Sequence, residues 1–272
     1  MIFVARLKAI FFKNNKYFNN YGLNLFHLGI ILLGSAPAIA IVIFIFSSIF
    51  GSINRKDYFF EDKYNYPFLI ASILMIISCI FISLNNNLIL DKAPNPWIGL
   101  SNWLPFFWCF WSFQKYLCTQ NLRLKSAQLL IIGTLPILVS CFCQFFLKIY
   151  GPFRIFNNLI VWYQRPLGSD NGVTGLFNNQ NYAGAWLNVV WPFSLALLIE
   201  LREKIFKRIS AYLFIFGLSL SIILTNSRSA WIGIISGSIF LLGKKSFKTI
   251  KIVLLIILII LIASIHPIPR EY

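Results

Sequence analysis

Apolar runs of roughly 15–25 residues recur along the chain with short basic connections between them, and this pattern limits the fold more than any other feature. The runs lie near 23–50, 67–84, 99–118, 127–147, 180–199, 209–225, 229–243 and 252–265. A helix of that length reaches across the ~30 Å hydrocarbon core of a bilayer. Such spans must be helical, because a lipid-exposed backbone finds no water to satisfy its polar groups. The pattern therefore predicts an all-α fold: a polytopic helical membrane protein with about eight or nine hydrophobic segments, forming a single transmembrane domain over 1–272.

Composition excludes the main alternatives. Only 12% of residues are charged, whereas soluble domains average about 25%. The net charge of +16 would suit a nucleic-acid-binding protein if it formed a patch. Here the cations flank apolar segments, where membrane insertion leaves Lys and Arg, so no nucleic-acid partner is expected. The cysteines (Cys79, Cys109, Cys118, Cys141 and Cys143) lie in or beside apolar runs and show no C-x-x-C spacing. They read as packing residues rather than metal or redox ligands. Met1–Tyr17 is basic and aromatic, without the small-residue pattern of a cleavable signal.

Cation placement sets the orientation. The connections 51–66, 115–126, 200–208 and 244–251 are basic, and they alternate with poorer ones at 85–98, 148–179, 226–228 and 266–272. The basic set is expected on the cytoplasmic side. The arm carrying Arg6, Lys8, Lys13 and Lys16 joins that set only if 23–50 enters the membrane and returns. Gly34-Ser35-Ala36-Pro37 interrupts this segment near its middle, and Gly with Pro signals a turn. The reading is a short N-terminal hairpin of two half-length helices, each about 12–14 residues. On this topology 148–179 and 226–228 share the outer face, which in a bacterium is periplasmic. The predicted location is the bacterial inner (plasma) membrane, crossed several times.

Two motifs on that face carry the candidate chemistry: GLFNNQNYAGAW at Gly175–Trp186 and TNSRSAW at Thr225–Trp231. The loop 148–179 holds Arg154, Arg165 and Asp170, and ends in Asn178, Asn179 and Asn181. Asparagine caps helix N-termini, and the free N–H groups of a helix start attract anions. Arg228 stands between two apolar segments with almost no loop, where it must face water, a partner or an anion. Two guanidinium groups, Arg165 and Arg228, suit a phosphate. Trp162, Tyr163, Tyr182 and Trp186 crowd the same face, where an interfacial aromatic belt accounts for most of them.

With both motifs in view, the chain resembles the O-antigen ligase and polymerase superfamily of bacterial membrane glycosyltransferases. It looks closest to cyanobacterial members, some of which are named as inorganic-carbon (bicarbonate) transport proteins. The family pattern is Gly-x-Phe-x-Asn-Pro-Asn opening a span, then Ser-Arg-small at the outer end of a later span. Gly175, Phe177, Asn179 and Asn181 match the first, with Gln180 where Pro is usual, and Ser227-Arg228-Ser229 matches the second. The LLGSAPAIA and SNWLPFF stretches also look like that subgroup. The resemblance implies a polytopic enzyme that takes a glycan from an undecaprenyl-pyrophosphate carrier to a lipid or glycan acceptor on the periplasmic face. It implies that Arg228 holds the pyrophosphate, with Asn179, Asn181 and Ser227 in the same site and no cofactor or metal. Arg165 is added from its position as a second contact.

The family continues into a large periplasmic loop, with a further arginine and a histidine that activates the acceptor, and then more spans. The resemblance therefore reads 1–272 as the N-terminal portion of such a fold, with a second polypeptide as one way to complete it. His27 reads as structural, and His266 is the one histidine near the outer end. Two other functions stay open: a membrane component of inorganic-carbon transport, and an inactive truncated paralogue. Coupled transport predicts paired charges or broken helices within the membrane. From residue 67 onward the segments offer mainly Gln144 and Asn188 as interior polar groups.

Overall fold

The computed structural model describes residues 15–53, 59–84, 96–168, 172–200 and 205–243. The segment expected near 252–265, the connection 244–251, Asp170 and His266 lie outside them. Among the described residues the chain is built on α-helices: α1 (Asn15–Leu32), α2 (Pro37–Ile53), α3 (Tyr66–Leu84), α4 (Pro96–Phe113), α5 (Gln120–Phe146), α6 (Gln180–Glu200), α7 (Ile205–Leu224) and α8 (Arg228–Leu242). A two-stranded antiparallel hairpin, β1 (Phe153–Ile155) and β2 (Ile160–Trp162), interrupts the loop after α5. The chain forms two compact units, Met1–Leu129 and Leu130–Tyr272, with the boundary inside α5.

Three helical stretches are long and apolar enough to cross a membrane: Lys63–Leu84, Gln120–Phe146 and Gln180–Ile199. Pro37–Ile53, Ile209–Leu224 and Arg228–Leu241 are apolar but shorter. The surface of α3 matches its composition. Ile70, Leu74, Ile77 and Phe81 are all exposed and, at spacings of three and four, form an outward-facing apolar stripe.

In the first unit the chain turns at Gly34-Ser35-Ala36, where the Gly-Ser-Ala-Pro sequence predicts a break. Contacts between Gly22 and Phe50 and between Gly29 and Phe44 make α1 and α2 antiparallel. Small residues let the two backbones approach closely, and Ser47 Oγ donates to Gly22 O at 2.8 Å. The helices are 18 and 17 residues long, not the expected half-lengths. In α1 the polar stretch before Leu23 continues the helix from Asn15, and α2 runs past Phe50 to Ile53. Phe26, Phe44, Phe113 and Tyr116 pack together, and Tyr116 Oη donates to Ser47 O at 3.0 Å. His27 is buried in this unit, in agreement with a structural role.

The basic connection 115–126 is largely helical rather than a loop. Thr119 Oγ1 accepts the N–H of Leu122, and Arg123 folds back to donate to Leu117 O and Cys118 O. The side chains thus cap the preceding turn and start α5 seven residues before the apolar run. Cys118 is exposed here, unlike Cys79, Cys109 and Cys141, which pack inside as expected.

In the second unit, Ile137, Cys141, Leu187, Val190, Leu218 and Ile222 form a fully buried core. Gly184 lies on Ser227 and Ala230, Gly233 on Asn188, and Gly237 on Trp191 and Pro192. These pairs ascend both sequences together, so α6 and α8 are parallel. Trp191 Nε1 donates to Ser219 Oγ at 2.9 Å and ties α6 to α7.

Candidate functional site

The parallel packing brings two helix N-termini to one end of the second unit. Asn179 caps α6, its Oδ1 accepting the N–H of Asn181 at 2.7 Å. Gln180, which stands where the motif it resembles has proline, is the first residue of α6. Either residue suits that position, whose N–H has no partner inside the helix. Glutamine adds a contact proline lacks, as its Oε1 accepts the N–H of Gly172. At α8, Ser227 is the N-cap and Arg228 the first helical residue. The turn before it is made by Asn226 at φ 54, a left-handed conformation that asparagine tolerates.

The two motifs meet through small residues and backbone. Val173 N donates to Leu224 O at 2.9 Å. A Cβ on Gly172 would collide with the backbone carbonyl of Thr225, which cannot move aside as a flexible side chain can. Gly172→Ala is therefore expected to push the loop off the α7–α8 turn at a cost of about 1–3 kcal/mol. A lower thermal unfolding midpoint of the detergent-purified protein would register this; an unchanged midpoint would show that the contact does not hold the loop.

Arg165 is held at this end by its backbone. Its N–H donates to Thr174 Oγ1 at 3.1 Å, and its carbonyl accepts Gln144 Nε2 at 2.5 Å. Gln144, fully buried on α5, uses its whole amide. Nε2 also donates to Thr174 Oγ1 at 3.2 Å, and Oε1 accepts the N–H groups of Thr174 and Gly175, both at 3.0 Å. Gly175 at φ +52 makes the turn that aims two successive N–H groups at one oxygen. In the sequence Gln144 is only an interior polar residue; in the fold it holds the Arg165 loop to the start of the asparagine motif. Its signal was a side chain with four hydrogen-bonding positions inside a 27-residue apolar helix.

The expected site residues thus share one end of one unit, with differing exposure. Arg165, Arg228, Asn179 and Asn181 are exposed, as is Asn178. Ser227 is buried, and its hydroxyl lies 3.1 Å from that of Ser229. Trp186 packs inward. It is half-buried against the core and donates to Thr134 Oγ1 at 3.2 Å. Tyr163 and Tyr182 are exposed.

No protein family, curated protein or solved structure matches the chain.

The chemistry of this end follows from its charges. Two helix N-termini place partial positive charge at the end of the unit where the backbones of Arg165 and Arg228 lie, and both arginine side chains are exposed there. Among the described residues, no group of three or more His, Cys, Asp and Glu side chains could hold a metal ion.

Proposed function

We propose that this end of the second unit binds the diphosphate of a lipid-linked glycan, and that the chain is a membrane glycosyltransferase of the O-antigen ligase and polymerase type. In this reading the helices cross the bacterial inner membrane several times, and the site opens on the periplasmic face. Glycan leaves an undecaprenyl-pyrophosphate carrier for a lipid or glycan acceptor. The bond between the sugar and the pyrophosphate breaks as an acceptor hydroxyl attacks. Arg165 and Arg228 stabilise the negative charge that gathers on the leaving diphosphate.

The observation that carries the reading is the position of Arg228. A cation at a helix N-terminus opposes the helix dipole and costs roughly 0.3–1 kcal/mol. The polar parallel start of α6 lies next to it, through Gly184 on Ser227. A conflict between local energetics and position is characteristic of a functional group, and a bound diphosphate would remove it. Deleting the chain from its source cell should cause lipid-linked glycan to accumulate, measured by extraction and mass spectrometry, while bicarbonate uptake stays at the parental rate. Unchanged lipid-linked glycan with reduced bicarbonate uptake would replace this reading with inorganic-carbon transport.

A further inference from the structure

Asn188 is an interior polar residue that the diphosphate site does not use. It lies about 12 Å along α6 from Gln180, inside the stretch Gln180–Ile199 that is long and apolar enough to cross a membrane. Its amide rests on Gly233 of α8, where a Cβ would overlap it. The side chain is half-buried, and among the described residues nothing donates to or accepts from it. Nearby hydroxyls behave differently: Ser194, Ser236 and Ser238 each donate to a carbonyl of their own helix. The backbone adds to the imbalance. Pro192, four residues on, has no N–H to give the carbonyl of Asn188.

The surface beside this amide suits close approach. On α6, Ala185, Asn188, Pro192 and Ala196 follow one another at spacings of three and four, and both alanines are exposed. On α8, Ser229, Gly233 and Ser236 do the same, with both serines exposed. The outer stripe of α3 is bulky by contrast, with Ile70, Leu74 and Phe81. Small residues let membrane helices come near enough for polar side chains to bond across the contact.

We infer that two copies of the chain pair in the membrane along this α6–α8 seam, with the two Asn188 amides hydrogen-bonded to each other. In hydrocarbon an amide finds no water to satisfy it. A lipid chain offers neither donor nor acceptor. A carboxamide carries both, so a two-fold axis lets each Nδ2 donate to the other copy's Oδ1. A second copy also brings its amide at the matching depth. The apolar segment 252–265, outside the described residues, has Ser264 near its end as its sole polar side chain, and so offers no partner from its middle. The inference rests on α6 crossing the membrane and not on glycan transfer.

Single-molecule photobleaching of the singly labelled full chain in liposomes, over a range of protein-to-lipid ratios, tests it. The wild type is expected to bleach in two steps, giving way to one step on dilution. Asn188→Leu should weaken the dimer roughly tenfold. That change also alters the contact with Gly233, so Ala185→Trp, on the exposed side of α6, is the second variant. Its bulk should hold the seams apart and give single-step bleaching at ratios where the wild type is paired. Leu74→Ala, on the outer stripe of α3, should pair as the wild type does. A monomeric wild type, wild-type pairing in either seam variant, or an equal loss in Leu74→Ala would overturn the dimer. Alkaline carbonate treatment of the same liposomes separates the two readings. A released chain overturns the crossing of α6 and the dimer with it, whereas a retained monomer overturns the dimer alone.

Discussion

Gln144→Leu is expected to cost roughly 3 kcal/mol or more and to release the Arg165 loop. Leucine fills a similar volume but offers no hydrogen bond. The substitution strands the N–H groups of Thr174 and Gly175 and the carbonyl of Arg165, all of which Gln144 satisfies. A buried polar group left without a partner costs about 1–3 kcal/mol, so three set the scale even if the loop relaxes towards water. Gln144→Glu should fall between leucine and the wild type. A carboxyl oxygen still accepts the two N–H groups, but the donor to Arg165 O and Thr174 Oγ1 is reduced to at most one proton. Two measurements together identify the cause: the thermal midpoint in detergent, and the rate of limited proteolysis within 163–176. Leucine should lower the first and raise the second. A wild-type proteolysis rate in Gln144→Leu would mean that the loop is held by something other than this amide.

The features readable from the sequence were those governed by chain punctuation. Gly34 and Pro37 mark the turn between α1 and α2, and Asn179 marks the start of α6, because each residue has a specific backbone preference. Helix faces were not readable. In a soluble protein an apolar stripe marks the core, but α3 exposes Ile70, Leu74 and Phe81 while the second unit buries Ile137, Leu187 and Ile222. When outside and inside are both apolar, hydrophobicity loses its power to assign sides. Glycines replace it: Gly184 and Gly233 lie where α6 and α8 touch. The β1–β2 hairpin was missed because its strands are three residues each, too short for alternation to stand out from an aromatic loop. Gln144 stood out as an interior polar residue, but its role did not. Its partners are backbone groups some 20–30 residues away, and backbone groups leave no trace in a sequence.

On the proposed function, Arg228→Ala should abolish glycan transfer while leaving the fold as stable as before, or slightly more stable. The two effects have separate physical origins. Loss of one charged contact to a developing anion lowers rates by about 10²–10³-fold in comparable sites. Removing a cation from a helix N-terminus relieves an unfavourable interaction with the dipole, and alanine is the better helix former. Because Arg228 is exposed, little packing is lost. Arg228→Lys keeps the charge but loses the planar fork, and should recover only part of the rate. The assays are turnover of lipid-linked glycan in membranes and the thermal midpoint of the same purified variants. A destabilised Arg228→Ala would mark a structural arginine, and transfer at the wild-type rate would take it out of the site. Activity lost with stability kept would identify a side chain retained against its own local energetics, for which a bound anion is the explanation.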